Sequence, residues 1–341
     1  MRKIFKIYSF AALTVLLIFF TACQKGDNVR GHLVEVKRMT LEGGGDFNRL
    51  YAWEEGYAGI DWSDASLKIF NKDGKLLDRY SKEGSGPGEY NKNRVQLMGV
   101  DKNRIYLAAL DKSAVLAFEV GSGKILFRDE YPVNEGSLRG GAVDPDGHIW
   151  LALQGGAYDV AELSPEGEIL KLYLPAEEKE RAMSPEKLIK SMKWIAFRGN
   201  KAVFISFMTY ELHFYSRDEK GLHLITEMIP RPVYVENNYE IKTSGNSISM
   251  TGRPGISGYA ISGETLFVKL LTDSETARKE KNRVHALSLD GQGKGLFECR
   301  LEKGETLRNL AGVSPEGHVL AFFETEESAS DTVLCELEVR K

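Results

Sequence analysis

Residues 84–91 read Gly84-Ser85-Gly86-Pro87-Gly88-Glu89-Tyr90-Asn91 and lie between two strand-like segments. The first segment is 66–77, and the second is 94–107, which contains a tight turn at Lys102-Asn103. The order is therefore an outer strand, a Gly-Pro-Gly loop, an inner strand, a tight turn and a further strand. This order predicts a small antiparallel sheet that is followed directly by another unit of the same kind.

The tight turn recurs along the whole chain at intervals of 44 to 63 residues. Its six copies are Glu55-Gly56, Lys102-Asn103, Asp146-Gly147, Gly199-Asn200, Ser262-Gly263 and Glu316-Gly317. A second turn recurs within most units, at Lys72-Asp73-Gly74, Gly121-Ser122-Gly123, Pro165-Glu166-Gly167 and Leu289-Asp290-Gly291. Gly and Asn at these places supply the positive φ that short hairpins need. Six units of short strands predict an all-β fold, a six-bladed β-propeller of four-stranded antiparallel blades.

The two ends of the chain predict how the ring closes. The last unit contains three strand-like segments of its own, at about 309–313, 318–324 and 332–339. The segment 33–39 alternates like an outer strand and precedes the first unit. We expect this N-terminal strand to complete the last blade, which removes free sheet edges and fixes both termini in the ring.

The repeats carry a resemblance to a known family. Residues 66–126 resemble NHL-type repeats, in which a Gly-rich linker ending in an aromatic residue precedes an Asp-x-x-Gly turn. Gly45-Asp46-Phe47 matches the same linker partially, and the later units match in spacing only. The exported chain is similar to the six-bladed, NHL-repeat-like propeller lipoproteins of Bacteroides-type bacteria. That resemblance implies the fold and a cell-envelope location, and it implies no single activity.

The N-terminus predicts export and lipidation. Basic Arg2, Lys3 and Lys6 precede an apolar segment at 10–20, which is too short to span a bilayer comfortably. Cys23 follows directly and resembles the lipidated residue of a bacterial lipobox; an ordinary secretory signal is the alternative. The predicted organisation is a signal peptide at 1–22, a lipidated tether at 23–30 and a propeller at 31–341. We expect the lipid chains to hold the protein at the envelope, in the outer membrane.

Charge and cysteine content limit the partners. The formal net charge is −4, and removal of residues 1–22 takes away three cations and no acids, which gives −7. A mildly acidic chain of mixed charge has no nucleic-acid signature. Besides Cys23, the predicted site of lipidation, two cysteines, Cys299 and Cys335, remain in the exported chain. We predict two separate buried thiols, with a disulfide as the alternative.

Two segments interrupt the repeat, at about 175–192 and 231–257. The first contains Ser184-Pro185 and Lys190, which predict the start and the end of a short helix. Both segments fall between the outer strand of one blade and the inner strand of the next. We therefore expect both at one mouth of the central channel, where long loops commonly contact ligands.

A recurring cation gives the sharpest site prediction. In blades 1 to 4 and in blade 6, a cation lies at or just before the inner strand. Blade 5 instead has Gly258 at this position, with Arg253 upstream. The predicted channel-mouth residues are Arg49, Arg94, Arg139, Lys193, Arg253 and Arg308. One interpretation is a cationic mouth that binds a carboxylate or another anion. The alternative is local pairing, as between Arg94 and Glu89 or Arg49 and Asp46, which would fix the linkers. Gly86, Pro87, Gly88, Glu89 and Tyr90 are predicted to be structural linker residues.

Catalytic motifs are scarce. The sequence has no His-Glu-x-x-His, no Gly-x-Ser-x-Gly and no phosphate loop. His148 and His318 occupy equivalent turns and are interpreted as repeat residues. Five acids, Asp61, Asp64, Asp111, Asp144 and Glu240, are candidates for a Ca²⁺ site. We expect a non-catalytic binding propeller without a cofactor, whose partner is a protein, a glycan or another anionic ligand. A Ca²⁺-dependent lactonase- or lyase-like enzyme and a purely structural subunit of an envelope complex are the alternatives.

Overall fold

The computed structural model describes residues 29–176, 193–206, 208–230, 239–244, 247–252, 255–270, 281–302, 304–324 and 332–340. Strands β1 to β26 account for the secondary structure, and the described part contains no helix long and apolar enough to cross a bilayer. The predicted signal peptide, Cys23 and the predicted helix near 184–190 lie outside the described residues.

The first three blades are regular four-stranded antiparallel sheets. Blade 1 consists of β2 (Phe47–Trp53), β3 (Gly56–Asp61), β4 (Ser66–Asn71) and β5 (Leu76–Tyr80). Blade 2 consists of β6 (Val95–Asp101), β7 (Arg104–Ala109), β8 (Ala114–Gly121) and β9 (Lys124–Pro132). Blade 3 consists of β10 (Ser137–Val143), β11 (Ile149–Gln154), β12 (Tyr158–Leu163) and β13 (Ile169–Pro175).

The other three blades follow the same order, with one insertion. Blade 4 consists of β14 (Lys193–Arg198), β15 (Lys201–Ser206), β16 (Glu211–Asp218) and β17 (Gly221–Met228). A separate hairpin of β18 (Tyr239–Ser244) and β19 (Ser247–Gly252) lies within the predicted insertion at 231–257. Blade 5 consists of β20 (Ile256–Ser262), β21 (Thr265–Leu270), β22 (Arg283–Ser288) and β23 (Gly293–Arg300). Blade 6 consists of β24 (Thr306–Val313), β25 (Val319–Glu324), β26 (Val333–Arg340) and β1 (Val29–Thr40).

The predicted closure by the N-terminal strand is confirmed. β1 pairs antiparallel with β26, from His32 opposite Arg340 to Thr40 opposite Val333. The first part of β1 also pairs in parallel with β23, which joins blades 5 and 6 into one eight-stranded sheet. This parallel pairing was not predicted, because a local pattern gives no information about a second neighbour.

The core is divided among the six interfaces between successive blades. Each of six clusters of buried apolar side chains contains residues of two neighbouring blades, and the cluster around Phe47 and Phe322 joins blade 6 to blade 1. The strands in the middle of a blade are covered on both faces, so that β3, the second strand of blade 1, is buried throughout. The outermost strand of blade 4, β17, is largely exposed. Cys299 and Cys335 are buried free thiols, as predicted.

The ring has two faces. The linker face is the side on which the inner strands β2, β6, β10, β14, β20 and β24 begin. The turn face is the opposite side, where hairpins join each inner strand to the second strand of its blade. Inner strands of six to eight residues separate the two faces by roughly 20 Å, at about 3.3 Å per residue.

Candidate functional site

The predicted cations lie at the linker face. Arg94 directly precedes β6, Lys193 begins β14, and Arg49, Arg139 and Arg308 lie near the start of β2, β10 and β24. Arg253 lies outside the described residues, and blade 5 presents Gly258 in its inner strand. The repeat therefore brings a cation to the same end of five of the six inner strands.

Three of these arginines lie at irregularities of the strand ladder. The pairing register of β10 shifts between Leu138 and Gly140, so that Arg139 is the extra residue. Arg308 occupies the same place in β24, and Arg49 lies within the corresponding shift of β2. A bulge leaves its extra residue unpaired and changes the direction of the side chain. The bulges thus explain why these three side chains do not take the directions that regular strand alternation would give them.

Arg94 and Arg139 form the part of the mouth where positive charge accumulates. The Arg139 Nε donates a hydrogen bond to Gln154 Oε1 at 2.6 Å, a neutral acceptor. Burial and the nearby positive charge of Arg94 lower the pKa of Arg139. Within the described part of the chain, neither side chain has an acidic partner within ion-pair distance. The expected pair of Arg94 with Glu89 does not form, and Glu89 accepts the Gly86 N–H at 2.9 Å.

Arg49 extends from blade 1 to blade 5. Its guanidinium carbon lies 3.7 Å from the centroid of the Tyr259 ring and 5.2 Å from that of Tyr51. Its Nη1 donates to the Tyr259 carbonyl at 3.4 Å, whereas its Nε is buried without a hydrogen-bond partner. Aromatic rings rather than a carboxylate therefore accommodate this charge.

Arg308 is the neutralised member of the set. It forms an ion pair with Asp46 and a second one with Glu324 at 3.4 Å. Asp46 was the expected partner of Arg49, and that pairing was wrong because the two bulges place Arg308 beside Asp46. The local-pairing alternative thus describes Arg308, whereas it does not describe Arg94 or Arg139.

The linker residues 86–90 form a tightly bonded loop. Gly88 has a φ of +73°, a conformation that favours glycine. Tyr90 is 1% exposed, and its hydroxyl lies 2.8 Å from the Ala65 carbonyl and 3.2 Å from the Tyr80 carbonyl. Lys112 donates to the Gly86 carbonyl at 3.1 Å. These contacts tie blade 1 to blade 2 and support a structural role for the linker.

The candidate calcium ligands whose side chains are described do not converge. Asp61 and Asp64 belong to blade 1, where Lys68 lies 2.6 Å from Asp61 Oδ2 and 3.9 Å from Asp64 Oδ2. Asp111 follows β7 at the linker face, and Asp144 follows β10 at the turn face. The side chain of Glu240 in β18 lies outside the described part. A Ca²⁺ ion needs six to eight oxygen ligands, which Asp61, Asp64, Asp111 and Asp144 do not bring together.

Asp144 belongs instead to a cluster with His148 and Glu162. His148 Nδ1 lies 2.7 Å from Glu162 Oε1, and Arg217 of blade 4 forms an ion pair with Asp144. Asp144 also accepts the Trp150 indole N–H at 2.9 Å and the backbone N–H groups of residues 146 and 148. Since protein donors occupy the carboxylate oxygens, a metal ion would have to displace Arg217. The cluster fits an ionic contact between blades better than a metal site.

A cavity of about 520 Å³ lies beside this cluster, between blades 3 and 4. Arg217, Tyr173 and Lys171 line it together with the acids Asp146 and Glu162. Tyr173 donates to Glu162, Arg217 Nη2 donates to Asp146 Oδ2 at 2.5 Å, and Lys171 donates to the carbonyl of residue 220 at 2.7 Å. Tyr173, Arg217 and Lys171 thus each donate to another group of the protein.

The histidine–glutamate contact recurs in blade 6. His318 Nδ1 lies 3.1 Å from Glu336 Oε2, and Tyr57 donates to Glu336 Oε1 at 3.0 Å. Burial alone would raise the pKa of Glu336, but His318, Tyr57 and Lys37 outweigh it and lower this pKa. The sequence showed the two histidines as repeat residues but missed both glutamates. The available signal was an acid in the middle of an otherwise buried third strand.

Comparisons with known proteins agree with this architecture. The profile of a family described as a 6-bladed beta-propeller, DUF5128, matches residues 45–228, more than half of the chain. A Bacteroides fragilis protein described as exported has a similar structure, with 14% identity, a TM-score of 0.57 and coverage of 91% of this chain and 95% of that one. A Bacteroides vulgatus member of the DUF4221 family has 13% identity, a TM-score of 0.52 and coverage of 92% and 100%. No curated protein matches the chain. At these identities the structural likeness concerns the fold alone.

Proposed function

This chain belongs to the DUF5128 family of six-bladed β-propellers, and we propose that it is a lipid-anchored binding module of the bacterial cell envelope. Its anionic ligand docks at the linker-face mouth of the channel. The observation that carries the proposal is the pair of Arg94 and Arg139, two neighbouring cations without an acidic partner among the described residues. A concave site with uncompensated positive charge attracts anions from solution.

The arginine pair suits a carboxylate or another oxyanion in particular. Guanidinium groups present several N–H donors in one plane, which match two oxygens of such a group. Arg139 is half-buried and held by Gln154, so that little side-chain freedom is lost when a ligand binds. Gln96 approaches Gly140 in the adjacent strand so closely that a Cβ there would lie 2.5 Å from Gln96 Oε1. Gln154 thus holds Arg139 without cancelling its charge.

Calorimetric titration of residues 24–341 with citrate, a probe rich in carboxylates, tests the site. Arg94→Gln and Arg139→Gln should each weaken citrate binding about tenfold or more, since hydrogen bonds to charged groups contribute about 1.5–3 kcal/mol. Arg308→Gln is the matched control, because Asp46 and Glu324 already neutralise that arginine. Equal losses in all three variants, or no loss in Arg139→Gln, would remove the basis of the proposal.

Envelope anchoring is supported by the sequence alone, through the basic start, the apolar segment at 10–20 and Cys23. The similar Bacteroides fragilis protein is described as exported, which agrees with this location.

Palmitate labelling of cells should mark the wild type and fail to mark Cys23→Ser. Density separation of the two membranes then tests the outer-membrane location. A wild-type protein that is secreted without label would contradict the anchor.

A protein-binding role is a second candidate, favoured by exposed apolar side chains on blades 3 and 4. Of the eight large apolar residues that are exposed within the described ranges, five lie on or directly after the outer strands of these two blades. They are Ile169, Leu170, Leu224, Ile225 and Ile229. Sedimentation velocity tests the simplest case, self-association of the chain, which Leu224→Asp should weaken.

A further inference from the structure

The start of β1 is fixed at the outer edge of blades 5 and 6. Val29 pairs with Leu296 of β23, and His32 pairs with Arg340 of β26. Strand β23 therefore holds the chain from Val29 onward, and β26 holds its other side from His32 onward. Any tether that precedes Val29 must leave the propeller at this place.

This place belongs to the turn face. Lys294, at the beginning of β23, donates to the Thr265 hydroxyl at 2.6 Å and to the Glu264 carbonyl at 3.4 Å. Glu264 and Thr265 lie in the hairpin that joins the first two strands of blade 5. β26 likewise reaches its end, Arg340, on the side where β25 begins. The side chains around Val29 are thus on the opposite face from Arg94 and Arg139.

The tether is short. Cys23 precedes Val29 by six residues, which span at most about 20 Å when fully extended. Three exposed cations, Arg30, Lys294 and Arg340, surround the start of β1. Glu338 pairs with Arg340 at 3.0 Å, Glu264 beside Lys294 pairs with Lys201 at 2.8 Å, and Glu298 lies 3.9 Å from His32. Among the described residues, Arg30 and Lys294 have no acidic partner within ion-pair distance. Cations close to a lipid surface are attracted by anionic headgroups.

We propose that the turn-face edge formed by Arg30, Lys294 and Arg340 is the surface that faces the membrane, and that the linker-face mouth points away from it. The proposal rests on the lipid anchor at Cys23 proposed above. The short tether keeps this edge close to the headgroups, and the inner strands place the ligand mouth roughly 20 Å farther out. The mouth then remains accessible to a large anionic ligand such as a glycan.

Energy transfer on vesicles tests this orientation. The lipidated full chain is reconstituted in phosphatidylethanolamine–phosphatidylglycerol vesicles that carry an acceptor dye on some headgroups. A donor dye is attached to Gln292→Cys near the proposed membrane edge, or to Asn93→Cys near the mouth. Both positions are exposed and neutral. Cys299 and Cys335 are buried, and burial raises the pKa of the Cys299 thiol to about 12, so that neither competes for the dye.

The expected transfer is at least about twofold greater at position 292 than at position 93, because the two faces are roughly 20 Å apart. Insertion of about twenty Gly/Ser residues after Asp27 should abolish the difference, since a flexible linker of that length no longer restricts orientation. Equal or reversed transfer in the two labelled variants, bound to vesicles through the natural tether, would overturn the orientation alone. A chain that fails to float with the vesicles would overturn both the anchor and the orientation.

Discussion

At the scale of single residues, polar side chains that bridge blades or linkers define the fixed points of the structure. Tyr90 is buried, and its hydroxyl contacts the Ala65 and Tyr80 carbonyls of blade 1. Asp61 accepts the backbone N–H groups of residues 46 and 63 and lies 2.6 Å from Lys68. Groups of this kind stabilise the fold only while they keep their partners, because an unpaired buried polar group is costly.

Tyr90→Phe removes the hydroxyl and keeps the ring. The free energy of unfolding should fall by about 1 kcal/mol, the usual contribution of one intramolecular hydrogen bond. Tyr158→Phe is the control, since its hydroxyl has no hydrogen bond to any described residue. Urea denaturation monitored by fluorescence measures both variants. Identical denaturation midpoints for Tyr90→Phe and wild type would show that the linker hydroxyl is dispensable.

Lys68→Met leaves Asp61 as a buried carboxylate without its cation. The loss should be about 3 kcal/mol at pH 7, as for other broken buried ion pairs. Arg79→Met is the control, because Arg79 is exposed and pairs with Asp64 at 3.2 Å, so the expected loss is about 1 kcal/mol or less. Chemical denaturation curves for both variants and wild type give the comparison.

The loss in Lys68→Met should depend on pH. Burial alone would raise the pKa of Asp61, but hydrogen bonds from Lys68 and Ser63 outweigh it and lower this pKa. A carboxylate with a lowered pKa contributes stability above about pH 4, and that contribution is lost as the pH falls through the folded-state pKa. The difference between Lys68→Met and wild type should therefore shrink toward pH 3. A difference that stays constant from pH 7 to pH 3 would refute this interpretation of Asp61.

The residue-scale site was only partly predictable from the sequence. The repeat located Arg49, Arg94, Arg139 and Arg308 at equivalent places, because strand spacing is visible in the turns. It could not show that Arg308 takes Asp46, since a bulge changes the side-chain direction without a clear sequence signal. Partners from other blades, such as Arg217 for Asp144, depend on packing rather than on local pattern.

At the scale of strands and turns, the sequence was more informative. The hairpins predicted at Lys102-Asn103 and Asp146-Gly147 are present, and so is the closing strand predicted at 33–39. Turn residues specify a local conformation, and alternation specifies which strand face is buried. The parallel contact of β1 with β23 has neither signal, which is why the sequence did not reveal it.

Leu33→Ala tests how strongly β1 holds the ring together. Leu33 is fully buried between blades 5 and 6, so the substitution should lower the free energy of unfolding by about 2–4 kcal/mol. Val36→Ala in the same strand is the control, because Val36 is 43% exposed and its loss should stay within about 0.5 kcal/mol. Thermal denaturation measures both. Similar small effects would mean that β1 is a peripheral strand rather than the closure of the ring.

At the scale of the whole molecule, six interfaces between blades form a closed cycle. Blade 6 is completed by β1, and its Phe322 packs beside Phe47 of blade 1. The ring keeps the inner strands parallel to one another around the channel, so that equivalent residues meet at one face. This geometry brings Arg94 and Arg139 together even though they are far apart in sequence.

Chelation tests the metal-dependent alternative for the whole molecule. We expect the melting temperature of residues 24–341 to be the same before and after EDTA treatment. Protein donors already occupy Asp144 and Glu162, so we expect no bound metal there for EDTA to remove. A metal that binds only the folded state would stabilise it, and its removal would lower the melting temperature. A drop after EDTA that Ca²⁺ restores would instead favour a calcium-dependent enzyme.

The most direct test of the central claim is charge reversal at Arg139, with citrate affinity and melting temperature measured on the same sample. The account predicts that Arg139→Glu loses at least about tenfold in affinity, because an acid beside Arg94 neutralises the mouth and repels the probe. It also predicts a melting temperature close to that of wild type, since Arg139 has no ion-pair partner among the described residues. Unchanged citrate affinity together with a lowered melting temperature would contradict the account and assign Arg139 a purely structural role.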